Sequence, residues 1–485
     1  MNEAPRTVQQ YIDQSPAWPD GTPTVFVPMT VMQWRIWLLA SAGKFFEGLV
    51  VFMTGVALPL IVKDFGLTPA EKGLVSAAPL AGIMLGALAL GGLADRYGRR
   101  FMFVLEMGVL VLFLVGLTLS PSLPWLVVFL VGVGLALGGD YPTAHLIISE
   151  SIASRDRGKL VLSAFAFQAV GALAGTMVGY VILSVRPEIG AWRWMYATSI
   201  VPAALVMLGR LTINDSVHWL MSQGRKRDAE AALARLLKRE PPYPKHVTLR
   251  DGAASAPDRP ANGRWRDLFA APARRATILA SVPWFLQDLG TYGIGIFTPT
   301  ILARTIGGHD HGPARNMADL VAADLFAARG AALLDVLLIA GIVAAVLLAD
   351  RVGRIRLQVV GFVGCAVGLG LAALSLHADG AVRTALLFGG FVLFNFMTNV
   401  GPNAQTYLLA GEVFPTALRG KGAGIAASFA KIGAVLTAFL FPVLLADAGI
   451  DFLMTTLVVT SLLGAWLTWL FRIETTGISL ESLDR

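Results

Sequence analysis

The chain is short of cysteine and of charge. Its 485 residues contain one cysteine, Cys365, which excludes an intramolecular disulfide; the residue lies in an apolar run and reads as a small packing side chain. Only 15% of the residues are charged and 55% are hydrophobic, with mean hydropathy +0.65. A soluble protein carries about 25% charged residues, so a soluble helical enzyme is excluded. Also missing are a nucleophile with an adjacent base, a phosphate-cradling glycine loop and a metal constellation, so no enzymatic activity, cofactor or metal is expected. The triplet His309-Asp310-His311 has no fourth ligand or rigid frame and reads as a solvated loop. No signal peptide is evident: residues 1–30 are polar and proline-containing, and the first helix is expected to be an uncleaved span.

What is present is apolar length. About twelve runs, most near 20 residues, are each enough to cross roughly 30 Å of hydrocarbon as helix. The 51 glycines fit close packing between membrane helices. The expected organisation is a cytoplasmic segment 1–34, six spans over 35–212, a cytoplasmic linker 213–275 with a helical stretch near 224–240, six spans over 276–472, and a cytoplasmic tail 473–485. The fifth and tenth spans are placed at 160–184 and 383–409, and an external loop at 304–325. The net charge of +7 does not point to nucleic acid, because the basic residues gather in alternate loops. That is the positive-inside pattern of a multi-pass protein of the cell (inner) membrane with both termini cytoplasmic, expected to work as a monomer in the lipid bilayer.

Two phrases repeat. Asp95-Arg96-Tyr97-Gly98-Arg99 recurs as Asp350-Arg351-Val352-Gly353-Arg354, and Glu150 followed by Arg157 recurs as Glu412 followed by Arg419. Two homologous halves in a membrane-grade sequence point to a transporter with its site between them.

Several ionisable residues fall at the costliest depth. Counting about 1.5 Å per residue from the cytoplasmic ends places Glu47, Asp140, Tyr141, Asp288 and Lys431 roughly 14–18 Å deep. Trp284, Asp288 and Tyr292 share one face of the seventh span, where the two aromatics are packing residues or site residues. Lys44 is spaced to pair with Glu47 on one helix face. Asp335 and Glu106 are weaker candidates, the latter expected to pair with a loop arginine. The repeat makes Tyr141 and Asn403 pseudo-equivalent, expected to face each other, and Gln168 a near-equivalent of Lys431. His145, one turn beyond Tyr141, handles a proton or serves as an interhelical hydrogen bond.

GGLADRYGRR (Gly91 to Arg100) resembles the signature loop of the major facilitator superfamily, and LADRVGR (Leu348 to Arg354), GEVFPTALRGKG (Gly411 to Gly422) and ETTGISLESL (Glu474 to Leu483) resemble its sugar-porter-type branch. GGDYP (Gly138 to Pro142), WFLQDLGTYG (Trp284 to Gly293), FAFQAVGALAG (Phe165 to Gly175) and GPNAQTYLLAGEVFP (Gly401 to Pro415) are similar to the phosphate:proton symporters within it. The resemblance implies an all-α membrane protein of twelve transmembrane helices in two six-helix halves. It implies substrate contacts from Tyr141, Gln168, Trp284, Asp288, Tyr292 and Asn403, with Lys431 as the central cation. Proton coupling is expected from Glu47, Asp140, Asp288 and His145. Gating is expected from Asp95, Arg96, Arg99, Glu150, Arg157, Asp350, Arg351, Arg354, Glu412 and Arg419.

The sequence also departs from that family: its first helix reads KFFEGLVVF (Lys44 to Phe52) with Glu47 as the only acid, and His145 replaces a small residue. The expected function is proton-coupled symport of a small anion, inorganic phosphate first. An organic acid or sugar as substrate, and a non-transporting nutrient sensor, are the alternatives.

Overall fold

The computed structural model describes residues 6–14, 29–90, 93–153, 156–238, 247, 265–306, 317–414 and 418–475. Its long elements are all helices. The first six are α1 (Val31–Phe65), α2 (Pro69–Leu90), α3 (Arg99–Thr118), α4 (Leu123–Ser151), α5 (Arg157–Phe165 and Phe167–Val185) and α6 (Ala191–Arg210). The second six are α7 (Ala271–Ile306), α8 (Met317–Val352), α9 (Arg354–Leu374), α10 (Gly380–Val400 and Pro402–Glu412), α11 (Arg419–Asp447) and α12 (Gly449–Leu470).

Among the described residues, 10 helices are long and apolar enough to cross a membrane. α6 and α7 are as long but diluted, α6 by Arg193 and Arg210 and α7 by Arg274, Arg275, Gln287 and Asp288. Local chemistry sets the helix ends. Thr30 and Gln33 form a reciprocal capping box at the start of α1, and Gly66, at φ 65°, closes its end in the left-handed region.

The face on which α1 begins and α6 and α12 end is called the linker face here; the opposite face is the far face. The repeat is legible in the backbone: Gly98 and Gly353, which start α3 and α9, have φ/ψ of 99°/146° and 99°/147°. The halves meet through a symmetric set of pairs, α2 with α11 and α5 with α8, and along α1 and α7. Toward the far face these contacts reach backbone: a side chain at Gly73 would lie 2.2 Å from the Phe439 carbonyl oxygen, and one at Gly55 2.4 Å from that of Ile296.

Three boundaries differ from expectation. α10 is broken at Gly401 because Pro402 has no N–H to continue the ladder and starts a new helix. α5 breaks at Ala166, where the turn tightens to a 3.1 Å bond from the Ala169 N–H to the Ala166 carbonyl. α8 begins at Met317 rather than near 326, in an alanine-rich stretch of good helix formers. The helical stretch expected near 224–240 is Lys226–Leu236, and its apolar face packs with Ile36 of α1 and Ile148 of α4.

Candidate functional site

Four charges meet where the halves meet. On α1, Lys44 and Glu47 are three residues apart, and their side chains pair at 2.5 Å. From the other half, Lys431 of α11 reaches Glu47 at 3.5 Å and Asp288 of α7 at 3.4 Å. The formal charges sum to zero when all four are ionised, which is the condition for holding charge in a low-dielectric interior.

Tyr292 is saturated at the centre of this cluster. Its hydroxyl donates to Glu47 Oε1 at 3.1 Å and accepts from Lys431 Nζ at 2.6 Å and Gln168 Nε2 at 3.2 Å. Gln168 also donates to Glu47 Oε1 at 3.4 Å. Thus α1, α5, α7 and α11 each place a side chain on one network spanning both halves.

A neutral branch extends into α10. Gln287 donates to Thr291 Oγ1 at 2.6 Å and to Asn403 Oδ1 at 3.2 Å, and Asn403 donates to Asn399 Oδ1 at 2.5 Å. Gln287 Oε1 is buried with no hydrogen-bond partner among the described residues. A cavity lined by Gln168, Thr291, Asn399 and Asn403, with Ala172 and Leu338 among its apolar walls, lies alongside.

A second cavity lies closer to the linker face, lined by Lys44, Glu47, Asp140, Tyr141, His145 and Tyr407 among others. The Lys44 ammonium sits 4.0 Å above the Tyr141 ring. Tyr407 of α10 caps this cavity across the halves. Its ring stacks on Phe165 at 4.6 Å, meets Tyr141 edge-on at 5.8 Å and Trp284 at 6.3 Å, and its hydroxyl lies 3.0 Å from His145 Nδ1.

Tyr141 and Asn403, expected to face each other, line different cavities; Asn403 is turned to Gln287 and Asn399, and Tyr407, one turn on, meets Tyr141 instead. Tyr407 was missed in the sequence, although its place one turn beyond Asn403 on a mid-membrane segment was a usable signal.

Asp140 lines the linker-side cavity but is held by Arg210, the last residue of α6, with both side chains buried. Arg210 also donates to the carbonyls of Phe103 at 2.7 Å and Leu39 at 3.0 Å, and its guanidinium lies 3.4 Å over the Phe103 ring. Glu106 takes a 3.0 Å bond from Thr143 and forms no ion pair with a loop arginine among the described residues, because its position on α3 turns it toward α4. Arg210 was not singled out in the sequence, since a span-end arginine reads as a boundary charge.

At the linker face the repeat produces two matching ion pairs. Arg99 meets Glu150 at 3.3 Å and Arg354 meets Glu412 at 3.2 Å, and each arginine donates at 3.1 Å to the carbonyl five residues before it. Glu150 accepts from the Ser216 hydroxyl, and Glu412 from Thr475 at 2.5 Å. Two acids not foreseen, Asp215 and Glu474, accept from the first backbone N–H groups of α3 and α9. Both arginine–glutamate pairs lie within a half. Arg96 and Arg351 are exposed, and Arg96 lies against Tyr97. The side chains of Asp95, Arg157, Asp350 and Arg419 and the whole of His309-Asp310-His311 lie outside the described residues.

Two pseudo-equivalent helical halves enclosing a polar cluster at mid-membrane define an integral, multi-pass membrane transporter of the major facilitator fold. The family model for sugar (and other) transporters matches residues 36–485, and the chain belongs to that family. It is 29% identical over 456 residues, covering 94% of each chain, to the inner membrane metabolite transport protein YgcS of Escherichia coli. It is 27% identical over 522 residues, covering 94% of this chain and 89% of the other, to a Schizosaccharomyces pombe protein, C1683.01, described as a candidate inorganic phosphate transporter. The proton:xylose symporter XylE bound to a bromodeoxyglucose superposes with TM-score 0.72 at 22% identity, over 93% of this chain and 98% of that one, which shows the shared fold.

Proposed function

We propose that this transporter is a proton-coupled symporter of a small anion, with inorganic phosphate the first substrate to test. The observation that carries the reading is the neutral four-charge cluster of Lys44, Glu47, Asp288 and Lys431 drawn from both halves. With both acids ionised, the two ammonium groups are occupied. Protonating Glu47 or Asp288 releases an ammonium group to an anion while the site stays neutral, so proton and anion enter together. Gln287 Oε1, a buried acceptor awaiting a donor, suits an anion that carries its own hydroxyl, such as a protonated phosphate. The phosphate description of the Schizosaccharomyces pombe relative supports the same choice.

A second reading, an organic acid, is favoured by one feature: Tyr141, Phe165 and Tyr407 give the linker-side cavity an aromatic wall under Lys44. In either case the linker face is cytoplasmic, the chain lies in the cell (inner) membrane as a monomer, and the two bundles, 35–212 and 276–472, rock about the cluster. The arginine–glutamate pairs brace each bundle while they do so, and Tyr407 with Trp284 caps the route to the cytoplasm.

The test is uptake of radiolabelled phosphate into proteoliposomes with and without an inward proton gradient, beside Asp288→Asn. Gradient-driven uptake lost in the variant is the expected result. Uptake of an organic acid but not of phosphate moves the site to that ligand, and uptake indifferent to the gradient ends the proton-coupled reading.

A further inference from the structure

A buried acid outside the four-charge cluster, with no cation beside it among the described residues, also joins the two halves. Asp335, near the middle of α8, is 5% exposed, and its carboxyl oxygen is 2.7 Å from the hydroxyl of Thr176 on α5. These two helices belong to opposite halves and pack against each other. Asp335 has no ion-pair partner among the described residues. At its level, the ionisable side chains on the helices packed against α8 are Tyr180 of α5, Glu47 of α1, Asp288 and Tyr292 of α7, and Cys365 of α9. Glu47 and Asp288 are taken by the lysines, and Cys365 is directed at the Phe394 carbonyl. α10 offers two amides, Asn395 and Asn399, which donate to the α8 carbonyls of Leu334 and Leu338. On α8 itself, Arg329 is exposed and Asp324 lies eleven residues toward the far face.

Burial with no cation beside it among the described residues favours the neutral form of the acid, and the hydrogen bonds around it accommodate that form. Thr176 Oγ1 lies 2.7 Å from Asp335 Oδ2 and 3.1 Å from the carbonyl of Ala172, but a hydroxyl has one proton to give. Both contacts are hydrogen bonds at once when Asp335 is neutral: its O–H donates to Thr176, and Thr176 donates to Ala172. An ionised Asp335 would take the hydroxyl proton of Thr176 for itself and hold its charge with no cationic side chain beside it among the described residues.

The position gives this proton a use. Ala172 and Leu338, one turn from Thr176 and Asp335 toward the linker face, both line the cavity that holds Gln168 and Asn403. The Asp335–Thr176 contact therefore lies between that cavity and the far face. The cavity's inner wall is Gln168, which is bonded to Glu47.

We propose that Asp335 is a second proton-binding residue of this carrier, set at the far-face lid of the cavity. It takes a proton from the far-face solution when the halves are parted there. The neutral acid then closes onto Thr176, and the proton passes through cavity water toward Glu47. The proposal rests on the proton-coupled reading above and adds a loading site to it.

The test needs no substrate. In lipid vesicles at neutral pH, infrared spectra of the full chain should contain a protonated-carboxyl C=O stretch that is absent from Asp335→Asn. In Thr176→Val the band should persist at higher frequency, its hydrogen bond lost. Identical carboxyl bands in the parent and Asp335→Asn overturn the proposal. The second readout is Leu338→Cys in a Cys365→Ala background, labelled on intact cells with a membrane-impermeant maleimide. Labelling, divided by that of an exposed reference cysteine at each pH to remove the thiol's own ionisation, should rise severalfold toward alkaline pH as the ionised acid draws the lid open to water, and should be low and flat with pH when Asp335→Asn is added. The asparagine keeps an N–H donor for Thr176, so a flat, low profile reports a closed fold rather than an unfolded one. The same pH profile with and without Asp335→Asn overturns the proposal while leaving gradient-driven uptake untouched. Uptake indifferent to the gradient would strike the proton-coupled reading, and is read in a separate assay.

Discussion

Two clusters of buried charge border the same linker-side cavity, through Asp140 of α4 and through Lys44 and Glu47 of α1, and they are built on opposite principles. Asp140, Arg210 and Glu106 come from α4, α6 and α3, all in one half. Lys44, Glu47, Asp288 and Lys431 come from α1, α7 and α11, across both halves. The first cluster moves as part of one bundle, and its arginine is tied to two carbonyls as well as to the acid. In the second, Lys431 reaches Glu47 across the two halves at 3.5 Å while keeping a 3.4 Å contact with Asp288 inside its own half. A buried charge fixed inside a bundle shapes that bundle, whereas one shared between bundles can change partner when they move.

The comparison breaks most visibly at Arg210. Arg210→Met leaves Asp140 buried without its cation, and should lower stability in detergent by about 3–5 kcal/mol. Adding Asp140→Leu should recover most of this, read as thermal unfolding of purified protein. If Arg210→Met unfolds like the parent but fails to transport, the within-half cluster is part of the machinery and the contrast is wrong.

Lys431→Met should do the reverse. Transport should fall about a hundredfold, the consequence of truncating one partner of a buried charge pair, while the thermal midpoint moves far less than for Arg210→Met. Uptake rate and unfolding measured on one preparation decide between the two patterns.

Tyr407→Phe sharpens the contrast at the cap. It keeps the stack on Phe165 and removes only the hydroxyl contacts with His145 and Tyr141, about 1 kcal/mol each, so substrate exchange should change by roughly tenfold or less. Tyr407→Ala, which removes the ring as well, should change exchange more than that. Equal effects of the two would put the whole role in the hydroxyl.

The smallest effect is expected at the linker-face pairs. Arg99→Gln, at a mostly buried 3.3 Å pair whose glutamate keeps the Ser216 hydroxyl as a partner, should cost about 1 kcal/mol in thermal unfolding. Its counterpart Arg354→Gln should match it, because the two turns are conformational copies. A large difference between the two variants would show that the halves do not carry these pairs equally.

Much of this site was legible because membrane sequences report cost. Glu47, Asp288 and Lys431 stand out as charges at mid-span, and the Lys44–Glu47 pair follows from a three-residue helical spacing. Gln168 and Tyr292 follow from the repeat and the shared face of α7. Arg210 and Tyr407 were not legible. An arginine at the last position of a span is the usual interfacial charge, and only the packing of α6 against α1 and α3 buries it. A tyrosine in an apolar run is ordinary, and only the break at Gly401–Pro402 and the approach of α4 and α5 from the other half make it a cap.

By itself, the sequence determined the membrane solvent, the helices and the two-fold repeat, because hydropathy, helical spacing and duplicated loop phrases are local properties of the chain. The tertiary structure alone decided which buried charges are partners. A carboxylate at mid-membrane must find a cation or a proton, but several lie within reach along the sequence, and helix packing selects among them: Arg210 for Asp140, Lys44 and Lys431 for Glu47, and for Asp335 the hydroxyl of Thr176.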